Sequence, residues 1–168
     1  IGRGEAGEPL WPSGVVGAIS HSPDLAVAVA GHRAEYAGLG VDVEEPARGP
    51  TARAARLICR PSEMAWADPE SGTTRLTMLF SAKEAVFKAV YPIARVWLGF
   101  ADAELKWRSE REAFEARALK SIGEGYPVDF QLEVQCTVAD RWVLSTASVP
   151  ASLVEARGDI IPGATHDT

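Results

Sequence analysis

The stretch Leu76–Tyr91, LTMLFSAKEAVFKAVY, has the length of a helix and holds neither Gly nor Pro before Pro92. At about 100° per residue, Leu76, Leu79, Phe80, Val86, Phe87 and Val90 share one bulky apolar arc. Met78, Ala82, Ala85 and Ala89 share a second arc of smaller residues. Thr77, Ser81, Glu84 and Lys88 form a narrow polar stripe between the two. A helix apolar on both flanks is packed on both flanks, so the stripe is expected to line a slot. The plainer alternative, an i,i+4 Glu84–Lys88 pair on a solvated face, is worth only a few tenths of a kcal/mol and needs a wider exposed arc. Lys83 projects from the middle of the bulky arc, where a charge must snorkel out or find a partner. Pro92 is expected to end or kink the helix.

The segments around this helix read mostly as strands. VVGAIS (15–20) and LAVAVAG (25–31), separated by His21-Ser22-Pro23-Asp24, predict a β-hairpin. A third strand is expected over Tyr36–Glu44. Thr51–Cys59 reads as a short helix, and Pro61-Ser62-Glu63 opens another through about Ala67, Pro being well placed at a helix start. Strands are expected at Ala103–Trp107, Ala113–Ala118, Phe130–Val138 and Arg141–Val149, antiparallel because their connections are short. Residues 1–14 hold four Gly and two Pro and read as a loop. Residues 151–168 read as a tail without fixed structure. The fold class is therefore α+β, with antiparallel sheets packed on one long helix.

With 168 residues, 46% of them hydrophobic, the chain has ample material for a core. A net charge of −6 argues against general nucleic-acid binding and against a basic membrane surface. No apolar run approaches the ~18 residues that mark a bilayer span. Cys59 and Cys136 have neither metal-ligand spacing nor a disulfide framework, which fits a cytoplasmic setting. The chain opens on Ile1, not Met, which suggests a fragment, a processed chain or a shortened one.

Two short motifs carry chemistry. In Gly38-Leu39-Gly40-Val41-Asp42-Val43-Glu44, alternation sends Leu39, Val41 and Val43 to one face and Gly40, Asp42 and Glu44 to the other. The two carboxylates then stand roughly 6–7 Å apart at the backbone, and Gly40 leaves room for something to approach. Like charges this close raise one another's pKa. A divalent cation relieves that, and an all-oxygen donor set suits Mg²⁺ with substrate phosphates completing its shell. A bare Asp-x-Glu is more often a solvated strand face; Glu84 and Lys88 on a helix with no solvent face strengthen the functional reading. His21, between Ser20 and Ser22, is either a turn residue or, with its flanking hydroxyls, a phosphate contact.

WPSGVVGAISHS, GVDVE and FSAKEAVFKA, in that order, together resemble the 4′-phosphopantetheinyl transferases of the larger, pseudo-dimeric class. RVWLGF (95–100) looks like the enterobactin-type branch. The resemblance covers roughly residues 1–107, with weaker agreement to about 149. It implies two similar lobes with the first shortened: residues 1–38 as the remainder of an N-terminal lobe and 39–150 as a C-terminal lobe bearing the metal and catalytic motifs. It implies transfer of the 4′-phosphopantetheine group from coenzyme A to a serine of an acyl- or peptidyl-carrier protein, with Mg²⁺ as cofactor. The second product is adenosine 3′,5′-bisphosphate. Carried over by residue, Asp42 and Glu44 match metal ligands. Glu84 matches a third metal ligand or the base near the serine. Lys88 and Lys83 match lysines near the phosphates, His21 with Ser20 matches the contact to the 3′-phosphate, and Arg3 matches an upstream basic residue. A monomer binding neither nucleic acid nor membrane is expected.

The same resemblance places arginines and lysines that grip coenzyme A ahead of Ile1. The alternative is thus a shortened, non-catalytic fragment that binds coenzyme A or carrier weakly. Another Mg²⁺-dependent phosphotransferase or hydrolase is disfavoured because the G-x-x-x-x-G-K-[ST] pattern is missing from the sequence.

Overall fold

In the computed structural model, which describes residues 1–4, 7–68, 70, 72–122, 126 and 128–153, one helix runs from Thr74 to Ala94 (α3) across a five-stranded antiparallel sheet. Both arcs predicted for it are buried: Leu76 and Leu79 on one side, Ala82, Ala85 and Ala89 on the other, have no exposed surface. The sheet has the order β5 (Tyr36–Glu44), β9 (Trp142–Pro150), β8 (Gln131–Ala139), β7 (Ala113–Ala118), β6 (Ala103–Arg108). Residues of β8 and β9 alternate between buried and exposed, so the sheet has one dry face and one wet one. α3 lies on the dry face, where Phe114, Val134, Val143 and Val149 form the floor of the core.

Two short helices, α1 (Ala52–Ile58) and α2 (Pro61–Ala67), follow β5. Trp66 of α2 packs edge-on against Phe114 and tilted against Trp107, with ring centroids 5.0 and 5.6 Å away. A separate hairpin, β3 (Val15–His21) with β4 (Ala26–His32), packs beside β5. The N-terminal segment expected as a loop contains a minimal ladder, β1 (Gly2–Arg3) with β2 (Pro9–Leu10). No helix among the described residues is long and apolar enough to cross a membrane. Residues 154–168, most of the expected tail, lie outside the described residues.

Two local expectations are corrected. α3 does not stop at Pro92 but continues to Ala94 and ends at Arg95, which takes the left-handed conformation at φ 53°. Pro92 sits in the last turn, where its missing N–H costs a single intrahelical bond near a terminus that frays anyway. Gly40 is indeed a place of close approach, yet the group approaching is α3 itself. A Cβ at Gly40 would overlap the Ala85 carbonyl oxygen, and one at Gly38 the Ala89 carbonyl oxygen. The glycines of β5 and the alanines of α3 thus bring helix and strand backbones together. The opposite face of β5 is occupied too, Leu39 lying against Gly31 of the hairpin. Hence β5 is buried on both sides, not half-solvated.

Candidate active site

The close contact of α3 with β5 decides what its polar stripe meets. Asp42, two residues beyond Gly40 on the same face, is 3% exposed. Lys88 donates to Asp42 Oδ1 at 2.7 Å and to Ser20 Oγ at 3.0 Å, and Ser20 Oγ donates to the same Asp42 oxygen at 2.8 Å. Ser20 Oγ also accepts from the Val43 amide at 3.4 Å, which ties the end of β3 to the free edge of β5. Three elements therefore meet in one triangle of polar atoms. The slot inferred from the helix is real: Thr77 and Ser81 are fully buried and Lys88 is partly so.

Glu44 and Glu84 share this environment. Burial, followed by the Asp42 charge, pushes the Glu44 carboxyl up to about 7; Lys88 opposes the shift and Glu84 adds to it. The Glu84 carboxyl is raised above its ordinary range by burial first and Asp42 second, again opposed by Lys88. Three carboxylates thus lean on a single ammonium group, and two of them are poorly compensated.

The second oxygen of Asp42, Oδ2, is buried and has no hydrogen-bond partner among the described residues, nor has the Ser81 hydroxyl. A buried carboxylate oxygen left unpaired is costly, and excess acid around it is what a hard cation relieves. The donor set, all oxygen and carboxylate-rich, fits Mg²⁺. Among the described residues, no three carboxylate, histidine or cysteine side chains already close around one ion-sized point. Lys88 holds Asp42 Oδ1 instead.

The raised acids have a consequence in solution. Without a divalent cation, Glu44 holds a proton in the folded protein that the unfolded chain has released, from its ordinary value of 4.5 up to about 7. Stability is then fully present below pH 4.5 and is lost as pH rises through 7. Melting temperatures in chelator should fall between pH 5.5 and 8. The effect is modest because Glu44 is partly solvated. Asp102 and Glu104, whose carboxyls lie below their ordinary range because of hydrogen bonds from Lys120 and from Ser62 and Arg117, contribute no slope there. Added Mg²⁺ should reverse the trend, since it competes with the proton. Glu84, raised as well, adds slope of the same sign, so Glu44→Gln should reduce the slope; an unchanged slope in that variant would exclude Glu44 as a source.

His21 ends β3, paired with Ala26, and is exposed. The expectation that Ser20 and Ser22 flank it as phosphate donors is corrected. Strand alternation turns Ser20 inward, to Asp42 and Lys88, while His21 faces outward. The Ser22 hydroxyl closes the turn on the Leu25 carbonyl at 3.4 Å. Arg3 lies in β1, exposed, with its guanidinium against Gly7.

Lys83 finds the partner that a charge on the bulky arc requires, on the side of α3 away from the carboxylate cluster. It is 4% exposed, and its ammonium is taken up by Glu63 at 2.7 Å and by the carbonyls of Ile58, Phe100 and Ala103. The bulky arc points away from β5, so a lysine on it finds partners among the segments packed on that side. Glu63 was not singled out in the sequence. The signal that could have found it was Lys83 itself, a charge on an apolar arc that required a buried acid.

Beside the cluster, a cleft of about 820 Å³ runs between the hairpin and the C-terminal half of α3. Its walls are largely apolar, with Trp11, Leu39, Phe87, Tyr91 and Trp97 among them, and Lys88 lines it as well. Phe87 stacks between Tyr91 and Trp97 at centroid distances of 5.1 and 4.8 Å. Lys88 therefore joins a carboxylate site to an apolar cleft, an arrangement suited to a ligand with a phosphate head and a long, weakly polar arm.

A profile of the 4′-phosphopantetheinyl transferase superfamily matches residues 38–147, which covers β5, all three helices and nearly all of the remaining sheet. The chain belongs to that family. Residues 1–31 separately match the 4′-phosphopantetheinyl transferase N-terminal domain, so the hairpin that supplies Ser20 falls in one matched region and Asp42 and Lys88 in the other. Among phosphopantetheinyl transferases, Npt of Nocardia iowensis is 35% identical over 111 residues, 66% of this chain and 50% of its own length. Svp of Streptomyces mobaraensis is 38% identical over 122 residues, 69% of this chain and 48% of its own. Enterobactin synthase component D of Escherichia coli is 37% identical over 89 residues, 51% and 41% of the two chains. The chain spans about half the length of the curated relatives it matches. Holo-[acyl-carrier-protein] synthase of Thermotoga maritima has the same fold, with a TM-score of 0.53 at 23% identity over 67% of this chain and 62% of that one.

Proposed function

We propose that this chain carries the reaction centre of a 4′-phosphopantetheinyl transferase, which moves the phosphopantetheine arm of coenzyme A onto a serine hydroxyl of an acyl- or peptidyl-carrier protein. The observation that supports it most is the meeting of Asp42, Glu84 and Lys88, with an unpaired buried oxygen on Asp42, at the end of an apolar cleft. Phosphoryl transfer is mostly positioning and charge stabilisation. The serine oxygen bonds to the phosphorus that carries the pantetheine. The bond from that phosphorus to the bridging oxygen breaks, and adenosine 3′,5′-bisphosphate departs with the electron pair.

Asp42, Glu44 and Glu84 would hold a divalent cation such as Mg²⁺, which supplies charge neutralisation across the two phosphates when bound. Lys88, donating to Asp42 and lining the cleft, is placed to donate to the bridging or non-bridging oxygens as negative charge grows there. Glu84, with its raised proton affinity, suits acceptance of the serine proton. Its roles as base and as ligand separate in Glu84→Gln, which keeps a ligand oxygen and loses the base. The apolar walls would receive the arm, and His21, exposed and outside the triangle, is the residue we assign to the 3′-phosphate of coenzyme A.

Purified protein with Mg²⁺, coenzyme A and an apo carrier protein should add the mass of one phosphopantetheine to the carrier. Calorimetry with coenzyme A run beside it separates two readings. Binding without product makes the chain a non-catalytic coenzyme A binder; neither binding nor product removes the transferase reading.

A further inference from the structure

Lys83 stands next to Glu84, yet all its hydrogen-bonding capacity is spent elsewhere. Its three protons serve four acceptors: Glu63 Oε2 at 2.7 Å and the carbonyls of Phe100 at 2.7 Å, Ile58 at 2.9 Å and Ala103 at 3.2 Å. Glu63 is as fully engaged. Its Oε2 also accepts from the Arg60 amide at 2.6 Å, and its Oε1 accepts from the Leu105 amide at 2.8 Å. Both side chains are almost completely buried. One ion pair therefore fastens α3 to the end of α1, the first turn of α2, the 3-10 turn at Phe100–Asp102 and the start of β6. Burial lowers the Lys83 ammonium from its ordinary value, with Glu63 opposing.

A buried ion pair is a poor device for stability alone, because an apolar pair of similar volume often does as well. What it supplies is direction. Four bonds of fixed geometry converge on one residue of α3 and two more fix its partner Glu63, whereas apolar packing tolerates sliding and rotation of a helix. The groups that need α3 to be placed accurately are on its other side: Lys88 must reach Asp42 and Ser20 at once, and Glu84 must share their field.

We propose that Glu63 and Lys83 are positioning residues, a buried clamp that fixes the rotation and axial position of α3 and so places Glu84 and Lys88. Neither touches substrate. The kinetic consequence rests on the transferase reading; the structural one does not.

Three variants test it: Glu63→Gln, Lys83→Met and the uncharged pair Glu63→Leu/Lys83→Met. In ¹⁵N-labelled protein, the amide resonances of Lys88, five residues along α3 from Lys83, and of Asp42 on β5 should move in all three. Transfer by Glu63→Gln should show kcat lowered about tenfold or more, within the ~10²-fold that a 1 Å misplacement can cost, while KM for coenzyme A stays within about twofold. Should Lys83→Met fail to fold, the double variant still reports, since it leaves no buried charge unpaired. Unmoved Lys88 and Asp42 resonances in the folded variants, or wild-type kcat in the double variant, overturn the clamp. So does a Lys83→Met protein that binds coenzyme A tenfold more weakly while Glu63→Gln binds it normally, because that makes Lys83 a phosphate ligand. If the wild-type chain transfers nothing, the transferase reading falls, and the resonances alone decide the clamp.

Discussion

Asp42→Asn should leave the protein folded and lower Mg²⁺-dependent transfer by about 10²–10³-fold, the usual loss when one preorganised electrostatic group is removed from a reaction centre. The substitution is nearly isosteric. The asparagine carbonyl oxygen can still accept from Ser20 and Lys88, as Asp42 Oδ1 does. The amide nitrogen replaces Oδ2, an atom already without a partner. What disappears is the charge. Two substrate-free readings accompany the loss of activity. Asp42 raises the Glu44 and Glu84 carboxyls, so in the variant both should titrate lower, Glu44 from about 7 toward its ordinary 4.5. Thermal stabilisation by added Mg²⁺ should also vanish. A variant that keeps wild-type turnover and Mg²⁺-dependent stabilisation would remove Asp42 from the cation site. Lowered Glu44 titration with unchanged turnover would show that the cluster is real but not catalytic.

The parts of this cluster that were legible in the sequence share a cause. The polar stripe of α3 was visible because Thr77, Ser81, Glu84 and Lys88 interrupt two apolar arcs, and periodicity reports burial directly. The strands were visible because each is a short alternating or apolar run between turn residues, and the observed bounds of β3, β4, β5, β7 and β9 fall within one or two residues of the expected ones. Which side chain meets which was less legible. Ser20 and His21 are adjacent in sequence, and only the placing of β3 beside β5 shows that one faces Asp42 and the other solvent. Lys83 and Glu84 are likewise adjacent and face different partners, 100° apart on the helix. The partner of Lys83 lies 20 residues away on a separate short helix, and no local pattern encodes that pairing. The aromatic wall of Phe87, Tyr91 and Trp97 was not legible, because a stacked ring looks the same in a sequence whether it fills a core or lines a cleft.

The largest expected effect on stability belongs to Gly40→Val. A side chain at this position would meet two backbone groups of α3, the Ala85 carbonyl and the Ala89 amide nitrogen, neither of which can swing aside as a flexible side chain would. Overpacking of a rigid site costs about 1–3 kcal/mol or more, and a β-branched side chain clashing with backbone from its Cβ outward lies at the upper end. For a domain of this size, about 3 kcal/mol corresponds to a melting temperature roughly 6–12 °C lower. Gly99→Ala provides the comparison. Its Cβ would stand 3.5 Å from Asp102 Oδ2, an ordinary contact, and its backbone is extended, so the change should be near neutral. The clash matters beyond stability, because relief requires α3 to move away from β5. Asp42 lies two residues along the same strand face as Gly40, and Lys88 spans the gap at 2.7 Å. Any separation large enough to admit a valine breaks that bond first. Gly40→Val protein that still folds at low temperature should therefore show the Lys88 and Asp42 resonances displaced and transfer lost together. Wild-type melting and wild-type turnover in this variant would mean that α3 and β5 are not in the close contact that places Lys88 on Asp42.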